Sequence, residues 1–351
     1  MNNIALRKYI LLGIGFFAIA GVCIFVFVIV SRRTASLPAQ DLPNGPTYVI
    51  GFLSYAPGLH EVMGGFQTRM DELSKENGFS VVYRPIDVPL STDAVNRGVD
   101  ALLEGKVDLV ITGQAVVSYI RAKDPEIPVV STLSSSIDDL ESEVAQVSNA
   151  ENTVFLDPGN DVVAGDRLLY FLQLMPQAKR ILVPHGPENG SFGNASALAA
   201  LREAARKVEV KLVEVEFLTR EELNAYLLEL NPEEIDAVYR FPDPFISANL
   251  DIIYALARQP QLRKPVIALN AADLKRGAVL SYGTDWSEFG VSAAEVATKI
   301  LHKKVDADFI PTQYPYNFRL GINVGAAKSL GLEIPVSLLT QADHILQEND
   351  Q

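Results

Sequence analysis

The sequence predicts an α/β protein of two lobes with parallel sheets, joined by a hinge and preceded by one transmembrane helix. Three observations lead there. Short apolar runs alternate with amphipathic helical segments from Thr47 onward, the pattern of parallel sheets covered on both faces. The alternation breaks at residues 152–161 and then begins a second series of similar size. Residues 9–30 carry no charge.

About 22 helical residues at 1.5 Å rise span roughly 33 Å, which matches a bilayer core. Arg7 and Lys8 precede this run, and Arg32 and Arg33 follow it. A secretory signal has a shorter apolar region and a small-residue cleavage site. Here Leu37-Pro38-Ala39 is a weak match, and Val22 stands where a lipoprotein signal wants a small residue before Cys23. An uncleaved anchor is expected, with a cleaved signal as the alternative. Charge on both flanks leaves orientation undecided by the positive-inside rule. An extracytoplasmic body is the expectation. Residues 31–46 hold Pro38, Pro43 and Pro46 and read as a linker.

The 351 residues carry 30 basic and 43 acidic side chains, a formal net charge of -13. No Lys/Arg run occurs, which argues against nucleic acid as a partner. Cys23 is the only cysteine. An intrachain disulfide, a cysteine-based zinc site and a thiol nucleophile in the body are thereby excluded.

In the first series, strands are expected at residues 48–53, 79–83, 107–112 and 128–132. Helices fall between them at 60–75 and 93–104, with a third at 114–121. Val62, Phe66, Met70 and Leu73 recur at helical spacing, so they form a buried face. A short strand at 153–156 runs into Asp157-Pro158-Gly159-Asn160 and a helix at 162–174. The second series has strands at 180–183, 210–217, 237–240, 266–269 and 278–282. Its helices lie at 195–207, 220–230 and 246–258, and a last one is expected at 288–301.

Residues 180–207, RILVPHGPENGSFGNASALAALREAARK, show the unit most clearly. An apolar strand enters a Gly/Pro/Asn/Ser turn, then a helix with Leu198, Leu201, Ala204 and Val208 on one face. Such a unit aims a helix N-terminus, with unpaired N–H groups, at the carboxyl edge of a sheet. Open α/β sheets bind ligands at that edge, and anionic groups are favoured there. Two such lobes in succession suggest a hinged receptor that closes on a ligand in its cleft.

Residues 277–301, GAVLSYGTDWSEFGVSAAEVATKIL, and 318–343, FRLGINVGAAKSLGLEIPVSLLTQAD, carry a resemblance. They resemble the C-terminal signature of a family of ABC-transporter substrate-binding proteins, several members of which bind amino acids. The likeness extends over nearly all of residues 48–342 and implies a type I periplasmic-binding fold of two Rossmann-like lobes. It implies lobe 1 at 47–155 and 283–315, lobe 2 at 156–282 and 316–351, and an anchor and linker at 1–46. It also implies capture of a small organic solute for a membrane ABC permease. Two features depart from the family: the transmembrane helix in place of a cleaved signal or lipid anchor, and the first-lobe loop at residues 54–60. The alternative is an extracytoplasmic sensor or co-receptor acting through a membrane signalling partner.

An amino-acid ligand requires donors for a carboxylate, an acid for an ammonium and an apolar wall. Thr112, Gly113 and Gln114 form one donor set at a helix start, and Asn189 and Ser191 form a second. Thr112 and Ser191 equally suit ordinary helix caps. Asp243 follows a strand, resembles the family's acid at that point, and fits either an ammonium partner or a cap. Phe245 and Tyr282 are candidate walls, and they suit a core as well. Ser54 and Tyr55 end the first strand, while Asp273 and His185 are weaker candidates. No HExxH, GxSxG, Walker or GxGxxG pattern follows a strand. Neither a metal nor a cofactor is expected, and the protein is not expected to be an enzyme.

Overall fold

The computed structural model describes residues 45–132, 151–186, 195–257, 262–315 and 317–347. The expected membrane segment lies outside them. Among the described residues, no helix is long and apolar enough to cross a membrane.

The first sheet contains β1 (Thr47–Ser54), β2 (Ser80–Asp87), β3 (Leu109–Gly113), β4 (Val129–Thr132) and β5 (Thr153–Phe155). Its order is β2-β1-β3-β4-β5, and every pair is parallel. Three helices connect these strands: α1 (Pro57–Asn77), α2 (Thr92–Glu104) and α3 (Gln114–Lys123). α1 begins earlier than expected because Pro57 fits a first helical position, where its missing N–H costs nothing. It ends at Gly78, whose φ of 73° is the left-handed conformation that glycine adopts freely.

The second sheet contains β6 (Arg180–His185), β7 (Lys211–Glu216), β8 (Ala237–Tyr239), β9 (Val266–Ala268), β10 (Leu280–Thr284), β11 (Phe318–Asn323) and β12 (His344–Leu346). The order is β12-β11-β10-β9-β8-β6-β7. It is parallel except at β10 and β11, which pair antiparallel, so the expectation of purely parallel sheets is corrected there. Around it lie α4 (Asn160–Leu174), α5 (Ala195–Lys207), α6 (Arg220–Glu229), α7 (Pro244–Ala248), α8 (Leu250–Ala257) and α9 (Ala271–Lys275). The single helix expected at 246–258 is two, because Asn249 leaves the helical conformation and its amide donates to the Phe245 carbonyl at 2.8 Å. The buried stripe of α5 is Ala197, Leu198, Leu201 and Ala205, one residue off the expected face at its end.

After β10 the chain returns to the first sheet. α10 (Trp286–Leu301) packs on α1, and Phe289, Ala293 and Ala297 share a core with Val62, Phe66 and Met70. The approach is backbone to backbone. A Cβ on Gly65 would stand 1.9 Å from the Ser287 carbonyl oxygen, and one on Gly290 2.0 Å from that of Val62. The chain then crosses once more. Gln313 pairs with Leu156 in an isolated parallel bridge, and β11 rejoins the second sheet. α11 (Val324–Ser329) and α12 (Val336–Gln341) follow, with Leu338 buried in the second core. The chain therefore passes between the sheets three times, after β5, after β10 and before β11, and the first and third passes are hydrogen-bonded to each other.

Candidate functional site

A narrow cleft lies between the two sheets, with about 590 Å³ of space when the open solvent at its mouth is counted. Every segment lining it follows the carboxyl end of a strand or a crossing. Tyr55, Ala56, Gly58 and Leu59 come after β1, and Gln114 after β3. Pro158 and Asn160 come from the first crossing. Arg240, Pro242, Asp243, Pro244 and Ser247 come after β8, Leu269 after β9 and Trp286 after β10. This is where α/β topology gathers loops and helix starts.

Local chemistry explains each placement. β8 is an apolar triplet, fully buried, and Pro242 and Pro244 prevent it from continuing as a ladder strand. Asp243 caps α7: Oδ1 accepts from the Ile246 N–H at 2.7 Å, and Oδ2 accepts from the Gly186 N–H at 2.9 Å. Burial raises its pKa from the ordinary 3.8 to about 6, against the two backbone donors and the charges of His185 and Arg240. Each carboxylate oxygen has a second lone pair, so the cap leaves acceptor capacity on the cavity side.

Tyr55 lies across the start of α3. Its hydroxyl accepts from the Ala115 N–H, while burial, the larger effect, raises its pKa. Gly113 admits it: a Cβ there would fall 2.3 Å from the Tyr55 hydroxyl oxygen. The Ala115 N–H at this helix start is thus taken by the protein's own phenol. Thr112 is fully buried and donates to the Leu53 carbonyl at 2.9 Å, tying β3 to β1. Ser54 donates to the Ala56 carbonyl at 3.3 Å.

The second lobe supplies what sequence reasoning missed. Arg240 is fully buried in the cavity wall. Its Nη2 donates to Ser247 Oγ at 3.2 Å, and its guanidinium lies 5.2 Å from the Trp286 ring centroid, a cation–π distance. Nε is 3.6 Å from Asp273 Oδ2, too long for a hydrogen bond. Neither Nε nor Nη1 has a hydrogen-bond partner. Asp273 is also fully buried, and its Oδ1 accepts from Arg276 Nη1 at 3.0 Å. Arg276 in turn reaches Glu61 on α1 at 3.5 Å. Burial lifts the Glu61 pKa to about 7, eased by Arg276 and reinforced by Asp273 and Asp285. A chain of alternating charge therefore runs from α1 of the first lobe to the cavity wall of the second.

Trp286 is placed by Gly58, since a Cβ on that glycine would stand 1.7 Å from the indole. Trp286 is the only tryptophan, and its position directly after a β-strand at a crossing was the one signal that could have found it.

Of the ten residues expected at the site, Tyr55, Gln114 and Asp243 line the cavity. Ser54, Thr112, Gly113, Phe245 and Tyr282 are not among the lining residues. Phe245 packs in the α6–α8 core, and Tyr282 packs on Tyr170 with ring centroids 4.8 Å apart. Asn189 and Ser191 fall outside the described residues. His185 is buried with Nδ1 at 2.6 Å from the Gly186 carbonyl, so this nitrogen donates within its own loop. No group of three His, Cys, Asp or Glu able to hold a metal occurs among the described residues.

Comparison with known proteins gives a consistent picture. The profile of the family described as ABC transporter substrate binding protein matches residues 48–346. The tyrosine-binding protein of Clostridioides difficile (strain R20291) is 23% identical over 290 residues, which are 79% of this chain and 78% of that one. Among solved structures, a conserved domain protein from Vibrio cholerae has a TM-score of 0.71 at 19% identity, covering 86% of this chain and 99% of its own. An ABC domain in complex with L-Trp from Streptococcus pneumonia also has a TM-score of 0.71, at 17% identity, covering 86% and 100%. Both structural likenesses concern the fold.

Proposed function

Since the chain belongs to the family of ABC transporter substrate-binding proteins, we propose that it is the solute receptor of an ABC import system. It captures a small organic solute, an amino acid, between its lobes and hands it to a membrane permease. Residues 9–30 tether the body outside the membrane. Lobe 1 is residues 47–155 and 283–315, and lobe 2 is 156–282 and 316–351. No covalent step is involved. The solute stabilises the closed arrangement by touching both lobes at once, which an open form does not permit.

The observation that carries this reading is the wall of the cavity. It joins a buried acid, Asp243, to two aromatic rings, Tyr55 and Trp286, contributed by segments on both sides of the cleft. Asp243 accepts the ammonium, and the rings flank an apolar or aromatic side chain. The relatives named for tyrosine and L-Trp support the same ligand class.

The test is a thermal-shift screen of the full chain against amino acids, sugars and nucleosides. A ligand that binds only the folded state raises the melting temperature. A shift with amino acids, lost in Asp243→Ala, is expected. A shift with sugars alone would refute the ligand class, and an undiminished shift in Asp243→Ala would remove the ammonium contact.

A further inference from the structure

We propose that Arg240 is the seat of the solute's carboxylate, held in place by Asp273, so that the cleft selects carboxylic acids over their amides and amines. This rests on the reading of the cleft as an amino-acid site.

A guanidinium has five N–H donors. Arg240 is fully buried, and its one hydrogen bond goes to Ser247. Buried polar groups are almost always paired, because an unpaired one forfeits its hydration without return. Nη1 carries two N–H groups with no partner and belongs to a side chain that lines the cavity.

The neighbourhood points the same way. Asp273 lies near Nε at 3.6 Å, but its hydrogen bond is accepted from Arg276. Arg276 is balanced by Glu61 as well as Asp273, so Arg240 shares one carboxylate at a distance too long for a hydrogen bond and keeps its fork free. A planar guanidinium suits a carboxylate's two oxygens. The Trp286 ring beneath the guanidinium and the Ser247 contact restrict its plane. Asp243, in the same wall, is left to the ammonium. One cation and one anion in one wall match a zwitterion.

Asp273 acts through Arg240 and is a positioning residue. It is itself placed by Asn270, which caps α9 with its Oδ1 accepting from the Asp273 N–H at 3.3 Å. Among the described residues, the groups facing Arg240 are Asp273, Ser247, Trp286 and, through their charge, Asp243, Tyr239 and Tyr254.

The experiment is calorimetric titration of the full chain in detergent with L-tyrosine, L-tryptophan, L-leucine and L-glutamate, each beside its α-carboxamide. The comparison of acid with amide on the unaltered protein needs no variant to fold. The acid is expected to bind at least about tenfold tighter, as the loss of one charge-assisted hydrogen bond dictates. Arg240→Met is expected to weaken the acid by about tenfold to a hundredfold and to erase the difference from the amide. Arg240→Lys, which keeps charge and loses the fork, falls between. Asp273→Asn lowers the acid-to-amide ratio, which a purely structural role would leave unchanged. Equal binding of acid and amide to the unaltered protein, or a preference that survives Arg240→Met, overturns the assignment while leaving an amino-acid receptor standing. Binding of none of the eight compounds overturns both.

Discussion

Arg121 and Arg240 are both buried arginines, one in each lobe, and they differ in every other respect. Arg121 is 3% exposed at the end of α3 and meets acceptors on all its nitrogens. Nε and Nη2 donate to Thr153 Oγ1 at 3.1 and 2.9 Å, Nη1 donates to the Ile127 carbonyl at 2.7 Å, and Nη2 to that of Asn152 at 2.8 Å. It fastens α3 to β5 and is not among the residues that line the cleft. Arg240 has one hydrogen bond and lines the cleft. Burial of charge therefore does not separate the two; unmet donor capacity beside a cavity does. Arg167 sharpens the rule. It is fully buried with Nη2 unpartnered, yet it bonds Tyr239 and the Tyr282 carbonyl at 2.7 Å each and is not a lining residue.

The largest expected effect breaks the satisfied arginine. Arg121→Met strips several buried acceptors at once and should cost about 3 kcal/mol in urea denaturation, with solute binding unchanged. If stability held, the hydrogen bonds credited to Arg121 would be worth little.

Next comes pH dependence. Asp243 and Glu61 have folded pKa values raised, chiefly by burial, to about 6 and about 7. Between the ordinary carboxylate range and those values the folded state holds more protons than the unfolded one, so stability falls as pH rises. Denaturation series should show a decline from pH near 4 to near 6 for Asp243 and to near 7 for Glu61, then a plateau. Asp243 alone accounts for about 2–3 kcal/mol at most. Glu61→Gln should remove the upper part of the slope. A flat profile would show that neither carboxyl is desolvated in the folded protein.

Arg240→Met should alter unliganded stability by less than about 1 kcal/mol, because the buried cation gives up its hydration for one hydrogen bond and a long ion pair, and Asp273 keeps Arg276 when it is removed. A loss as large as that of Arg121→Met would mean that Arg240 is structural. Smallest of all, Asp100→Asn removes an exposed pair with Lys123 on α2 and α3 and should change stability by less than about 0.5 kcal/mol. It sets the baseline for a charge neither buried nor beside the cavity.

Much of the frame was legible. The alternation of apolar runs placed β6 and α5 at their starts, because burial on both sides of a parallel strand leaves a local signature. Asp243 was legible as a cap because a cap acts on a backbone N–H three residues away. Tyr55 closing the start of α3 was not, since Ala115 lies sixty residues on and the hydroxyl's reach depends on how β1 and β3 pair. The antiparallel β11, where no strand was expected, was hidden for a similar reason: its direction is set by its pairing with β10 in the assembled sheet.

The sequence by itself determined the two α/β series, the crossing between them, the missing cysteine and metal patterns, and the acid after β8. These follow from periodicity and composition, which are local. Only the tertiary structure decided that Arg240 is buried short of partners. That shortage depends on Asp273, Ser247 and Trp286, which arrive from three other helices and leave donors facing a cavity instead of an acceptor. Unmet valence is a property of an assembled neighbourhood, and no spacing along the chain records it.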